Sequence, residues 1–184
     1  MLETCRHPAL DVDLPLKDHP DLANVLDIYR DFVCSYGRPP TRREIDPLDY
    51  RAVMRRIVLA ELHPETRRVR LRLVGEHLSS VFHDDWTGAY FDEKLDALSA
   101  QVRYETFANW VEGELPTFGT RRIRMKDGTE VRYKRLGLPL TRVEGEPAMA
   151  MVVVSDLTTQ TSKTREPYAT DLWTLLSRGA LSLR

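Results

Sequence analysis

His83-Asp84-Asp85 places an imidazole beside two carboxylates, a donor set that suits several divalent ions and that also has the make-up of an acid/base pair in a small pocket enzyme. Adjacent residues on a helix do not face one another, so a metal would need a further ligand from elsewhere. The stretch is expected to be a polar helix end, with no metal. Arg51-x-x-x-Arg55 matches one half of a cyclic-dinucleotide motif, but the partner loop D-x-S-x-x-G is missing. Cys5 and Cys34 show no C-x-x-C or His-Cys clustering, which supports neither a disulfide framework nor a zinc site. No serine-histidine-acid order, Walker loop or H-E-x-x-H occurs.

Charge is the next candidate for chemistry. The 184 residues carry a net charge of −1, which predicts no bulk affinity for nucleic acid or membrane. That average hides an uneven distribution: residues 1–35 sum to −4, whereas 67–72 and 121–135 together sum to +9. Basic strands of this kind can meet phosphates, but stacking aromatics are lacking on the same face, so docking against the acidic N-terminal helix of this or another subunit explains them better. No apolar run reaches the roughly 20 residues that span a bilayer, and no basic n-region precedes an apolar segment, so the protein is expected in the cytoplasm.

These residues have to be held by elements. At 42% apolar and 30% charged, the chain has the composition of a soluble domain with an appendage. Residues 1–20, with several prolines, read as a flexible arm. Asp21 then starts a cap helix with Leu22, Val25, Leu26, Tyr29, Phe32 and Val33 at helical spacing, ending near Gly37. In the connector "RPPTRREIDPLDYRAVMRR", two prolines enforce extended chain. Thr41 and Glu44 form a capping box, and Asp46-Pro47 signals a helix to about Arg56 with Val53, Met54 and Ile57 inward. Glycines that wrap phosphate are missing, so this stretch is scaffold.

Beyond the connector, two strands turn at 63–66, the second alternating Val69, Leu71 and Leu73 with Arg68, Arg70 and Arg72. A short helix carries Leu78, Val81 and Phe82 before Trp86-Thr87-Gly88. Residues 92–114 are helical, wrapping their support or breaking near 104, because the stripe lapses at Thr106. Three strands close the domain. Ile123 and Met125 lie on one, Asp127-Gly128 supplies the hairpin turn, Val131 and Tyr133 lie on the next, and AMAMVVVS is apolar on both faces as a central strand would be. A tail from 157 restarts an amphipathic helix with Leu172, Leu175 and Leu176.

The series Y-R-D-F-x-x-x-Y-G-R-x-P-T-R-x-x-I-D-P across residues 29–47, with R-L-V-G at 72–75 and W-T-G at 86–88, resembles a family of small stand-alone PAS proteins abundant in alphaproteobacteria, over about residues 20–155. Its motif positions here are Pro40, Thr41, Arg42, Ile45, Asp46 and Pro47, then Arg72, Leu73 and Gly75, with Gly88 closing the W-T-G turn. The resemblance implies an α+β fold: a five-stranded antiparallel sheet with helices on one face, an N-terminal cap helix and a C-terminal helix. The core would run over 57–156, with cap and connector at 21–56. It also implies a sensory or protein-interaction role and, in many members, dimers through the N-terminal helix, here Leu22, Val25, Leu26, Tyr29, Phe32 and Val33.

A PAS core can house haem, flavin, a small organic acid or nothing. A flavin adduct requires a cysteine within the core, yet both cysteines precede it, and haem requires an axial histidine, which 92–115 lacks. A small molecule would lie between the helices and the sheet. By strand parity its lining is Leu71, Leu73, Leu78, Phe82, Trp86, Tyr104, Phe107, Ile123, Met125, Tyr133 and Met151, with the Tyr104 and Tyr133 hydroxyls as polar handles. The expected function is a non-catalytic bacterial sensor or interaction module acting on a separate signalling partner. A pocket acid/base enzyme and a ligand-free dimeric adaptor are the alternatives.

Overall fold

In the computed structural model, which describes residues 7–161, five antiparallel strands form one sheet. β1 (Ile57–His63) and β2 (Arg68–Val74) pair with His63 opposite Arg68, closing the expected hairpin. α2 (Glu76–Phe82), α3 (Phe91–Lys94) and α4 (Ala97–Gly113) follow, then β3 (Thr117–Arg124), β4 (Thr129–Pro139) and β5 (Ala148–Thr161). Asp127-Gly128 makes the β3–β4 turn, with Gly128 at φ 87° as the left-handed position demands. The strand order is β2-β1-β5-β4-β3, so the run that is apolar on both faces is the middle strand. Residues 157–161, expected in the tail, continue β5. Cys5 and the expected C-terminal helix lie outside the described residues.

Both faces of the sheet are covered. Met149, Met151 and Val153 of β5 face α1 (Pro20–Tyr36), whereas Ala148, Ala150, Val152 and Val154 face α2 and α4. Leu22, Val25, Leu26, Tyr29 and Val33 of α1 are at most 3% exposed, packed on Leu59, Leu136, Leu138 and Met151. This corrects the assignment of these residues to a dimer interface. A helix laid along a sheet of strands 4.7–4.9 Å apart spends its whole apolar stripe on that sheet, and only Phe32, stacked on the exposed Tyr36 at 4.4 Å, stays partly open. The Tyr29 hydroxyl donates to the Pro139 carbonyl at 2.9 Å, and burial pushes its pKa well above the usual tyrosine range. Residues 7–19, the described part of the expected arm, are packed on the domain: Ala9 and Leu16 are buried, and Arg30 donates to the Val12 carbonyl.

Paired charges sit elsewhere than expected. Among the described residues, the acidic helix does not dock on the basic strands through its carboxylates; its tie beyond the helix is Asp21 to Arg56 of the connector. Burial opposes ionisation of Asp21, and Arg56 outweighs it, holding the pKa below the usual range. The strand arginines use nearer acids. Arg68 pairs with Asp92 and Glu93, Arg70 and Arg72 with the buried Glu61, and Arg122 and Arg124 with Glu130.

The connector is scaffold of a different form from the expected one. Thr41 donates through its N–H and hydroxyl to Glu44, which also takes both Arg38 amino groups. That Arg38 pairing, then Thr41, lowers the Glu44 pKa to about 2. The Pro39 and Pro40 carbonyls accept from Thr141, while Arg42 is exposed. No α-helix follows Asp46-Pro47. Asp46 accepts from the Leu48 N–H within a turn, and only a 3-10 turn at Met54–Arg56 precedes β1. Tertiary demands override the start signal: Tyr50 and Val53 are buried three residues apart, Met54 is 42% exposed, and the chain must become extended at Ile57. The long helix breaks at Leu95-Asp96, not near 104. Leu95 bridges to Met125, and Asp96 caps α4 by accepting from the Ser99 N–H at 2.7 Å.

Gly75 explains its place in R-L-x-G. A Cβ there would lie 2.4 Å from the Arg55 carbonyl oxygen, a backbone atom, while the Gly75 N–H donates to Ile57 at 2.8 Å. Gly75→Ala is therefore expected to lower stability by more than about 2 kcal/mol, with Gly113→Ala, whose Cβ meets nothing within 4 Å, unchanged or slightly more stable. Denaturant melts of the two check this. The Glu44 carboxylate stabilises the folded chain above its unfolded pKa near 4.5, and this contribution fades as pH falls through about 2. Acid melts of Glu44→Gln should accordingly show a weaker loss of stability over that window than the parent.

Candidate functional site

A cavity of about 50 Å³ lies between α2, α3, α4 and the inner face of the sheet. By the space that one water occupies, this is room for about four water-sized groups. Of the expected lining, Leu71, Leu78, Phe82, Trp86, Phe107, Ile123 and Tyr133 contribute. Aromatic packing shapes the walls: Phe82 stacks on Trp86 at 4.2 Å, Phe91 meets Phe107 at 6.0 Å, and Phe107 meets Trp110 at 5.0 Å.

Four expected lining residues are elsewhere. Leu73 is 37% exposed because a bulge in the β1–β2 ladder sets Leu71 opposite Ala60 and Leu73 opposite Leu59. The extra residue, Arg72, reverses the alternation, so Val74 takes the inward position. Met151 is fully buried on the opposite face, against α1. Met125 packs at the margin beside Leu95. Tyr104 lines a separate surface groove of about 380 Å³ with Arg67, Arg68 and Asp92, and the Arg67 guanidinium sits 4.8 Å from its ring centre.

Val58, Val74, Phe91, Arg103, Arg135, Val152, Val154 and Leu157 also line the cavity. The two arginines matter most, each 3% exposed. Arg103 is on the face of α4 that carries Ser99, Phe107 and Trp110, and it donates to the Arg122 carbonyl at 3.2 Å. Arg135 of β4 shares its inward parity with Val131 and Tyr133, and its guanidinium lies 3.6 Å from the centre of the Trp110 ring. Helical spacing from Phe107 and strand parity from Tyr133 are the sequence signals that put each on the inward face of its own element. Arginine simply reads as a surface residue. Beside them no acid lines the cavity among the described residues.

The other candidates for chemistry fall outside this site. His83 closes α2 at φ 53°, Asp84 pairs with Lys94 at 2.5 Å, and Asp85 accepts from the Thr87 N–H at 2.9 Å. Backbone and side-chain bonds from Thr87 hold the Asp85 pKa below the usual range. Among the described residues no cluster of three or more metal-ligating side chains forms. Arg51 and Arg55 are exposed, with Arg55 paired to Glu76 at 3.1 Å. Cys34 is exposed, and no described helix is long and apolar enough to cross a membrane. On the outer face, a bulge at Asp156 (φ 51°) turns its carboxylate toward Lys134 at 3.0 Å and His19 at 3.9 Å, tying β5 to the start of α1. The Lys134 bond holds the Asp156 pKa low.

A family model described as a PAS domain matches residues 24–155. Among solved structures, the chain is similar to the light state of the blue-light photoreceptor Aureochrome1 LOV, with 10% identity, a TM-score of 0.39, and 70% of this chain and 94% of that one covered. It is also similar to a sensory box histidine kinase/response regulator from Burkholderia thailandensis E264, with 14% identity, a TM-score of 0.36, and 73% and 97% covered. None of the curated proteins matches.

Gly137 makes room for the wall that holds Arg135. A Cβ at this position would stand 2.7 Å from the Trp110 ring. Gly137→Ala is expected to push that ring off Arg135 and to cost roughly 1–3 kcal/mol. Gly119→Ala on the neighbouring strand meets only the movable end of Arg121 and should melt near the parent. Thermal melts with tryptophan emission separate the two.

Proposed function

We propose that this chain, which belongs to the PAS domain family, is a non-catalytic sensor module that takes a small molecule into its core cavity and reports occupancy to a separate signalling partner. The observation that carries this reading is the cavity, lined by seven of the side chains that strand parity and helical spacing select. Its exposed lining is almost wholly apolar, which suits burial of a small molecule, whereas His83 and the adjacent aspartates, the acid/base pair of the enzyme alternative, lie in an exposed turn.

A route for the report runs through β5. Val152 and Val154 line the cavity on one face, Met151 and Val153 pack against α1 on the other, and Asp156 fastens the same strand to the start of α1 through His19 and Lys134. A ligand that shifts this strand shifts the seat of the cap helix. Close-packed interiors transmit displacement in this way because they have little free volume to absorb it.

The test is native mass spectrometry of the purified protein, joined to thermal melts against a panel of small metabolites. The parent should retain a small molecule or be stabilised by one, and Val152→Phe, which places a ring in the cavity, should abolish that effect while costing about 1–3 kcal/mol by itself. A parent that retains nothing and responds to no member of the panel refutes the sensor reading in favour of the ligand-free adaptor.

A further inference from the structure

We infer that the ligand of this cavity is a small, neutral, hydrocarbon-like molecule of about three to five non-hydrogen atoms, seated between the valines of the sheet and the Phe82 and Trp86 rings. This rests on the sensor reading and adds the chemical class that the lining selects. Three observations lead to it.

The first is the surface that a bound molecule touches. Val58, Val74, Val152 and Val154 line the sheet side, Phe82 stacked on Trp86 lines the helix side, and the exposed lining is almost wholly apolar. A methyl or methylene group gains by leaving water for such a surface. A carbonyl or carboxylate loses its hydration there and needs a donor in exchange.

The second is the commitment of the polar side chains. Arg103 donates to the Arg122 carbonyl at 3.2 Å, Arg135 lies 3.6 Å from the centre of the Trp110 ring, and each has a further bonding partner within the protein. A polar ligand that took either guanidinium would break contacts that hold a buried charge, which is the costlier exchange. Tyr133 offers at most one hydroxyl. The same shortage works against water, which needs about two to four polar partners to stay in a cavity. A dry apolar space leaves its lining atoms short of contacts on one side, and an apolar occupant restores them without displacing bound water. The third is size. About 50 Å³ is room for about four water-sized groups, which suits a molecule the size of isobutene and is far too small for a nucleotide, flavin or haem.

Isobutene, acetone and acetate test the class, because they share one branched skeleton of equal atom count and differ only in polarity and charge. Each is titrated into the isotope-labelled full chain at fixed pH and ionic strength and followed by methyl NMR. Isobutene is expected to shift the methyls of Leu71, Leu78 and Val152 saturably and to raise the melting temperature. Acetone should bind at least about tenfold more weakly, equivalent to about 1.4 kcal/mol, and acetate more weakly still. Val152→Thr, which sets a hydroxyl where the valine has a methyl, should narrow the isobutene-to-acetone preference at least about threefold. Where that variant does not fold, contacts between isobutene protons and the Phe82 or Trp86 ring protons, read on the parent, place the ligand instead. Acetone or acetate binding as tightly as isobutene, no isobutene binding, an isobutene remote from both rings, or an unchanged preference in folded Val152→Thr overturns the inference. If isobutene fails while native mass spectrometry finds a retained polar molecule, the sensor reading stands without it; if nothing polar or apolar is retained or binds, both fall.

Discussion

A middle strand apolar on both faces is the constraint on which this structure rests. Neighbours flank β5 on both edges, and its side chains alternate between Met149, Met151 and Val153 on one face and Ala148, Ala150, Val152 and Val154 on the other. Neither face tolerates water, so each requires its own layer. The outer layer is α1 with the segment that leads into it, and the inner layer is α2 to α4. The two sides differ in bulk. Methionines fill the outer side, whereas alanine and valine leave the inner side shallow, and there the cavity opens.

Distribution of the arginines follows from the same layering. Those on strand ends and turns find acids within reach, such as Glu61, Asp92, Glu93 and Glu130, and so stabilise local geometry. Arg103 and Arg135 are different because their helix face and strand parity aim them at the inner layer. Ring stacking and a backbone carbonyl are among the contacts that hold these buried charges, at a desolvation cost that surface pairs do not meet. That cost is the physical reason to look for chemistry at the cavity and not at the more conspicuous His83-Asp84-Asp85.

Two irregularities give the domain its particular form. The bulge at Arg72 reverses β2, sends Leu73 outward and draws Val74 in, and Gly75 immediately after it lets the connector backbone pass at a distance no side chain allows. The bulge at Asp156 does the same to the far end of β5, turning a carboxylate toward the start of α1. Bulges thus fix where the connector and the cap helix meet the sheet.

Much of this was legible in the residues. Five strands, their hairpin turns, the cap helix, the central place of AMAMVVVS and seven of the fifteen cavity-lining residues follow from period-2 and period-3.6 patterns, because burial of one face imposes those periods locally. The capping box at Thr41 and Glu44 is likewise local. What the pattern could not supply was anything set by a partner distant in the chain. A bulge leaves no mark in hydrophobic alternation, so Leu73 and Val74 exchanged places, and Met151 was assigned to the wrong face because a strand apolar on both sides does not say which layer each side meets. The same holds for α1, whose stripe alone cannot distinguish its own sheet from a second subunit. Composition marks arginine as a surface residue, and only the crossing of α4 over β4 put Arg103 and Arg135 inside. The sequence by itself determined which elements form and which faces are apolar, since those depend on near neighbours; the tertiary structure alone decided which face each covers and which charges are buried, since these depend on contacts between residues far apart in the chain.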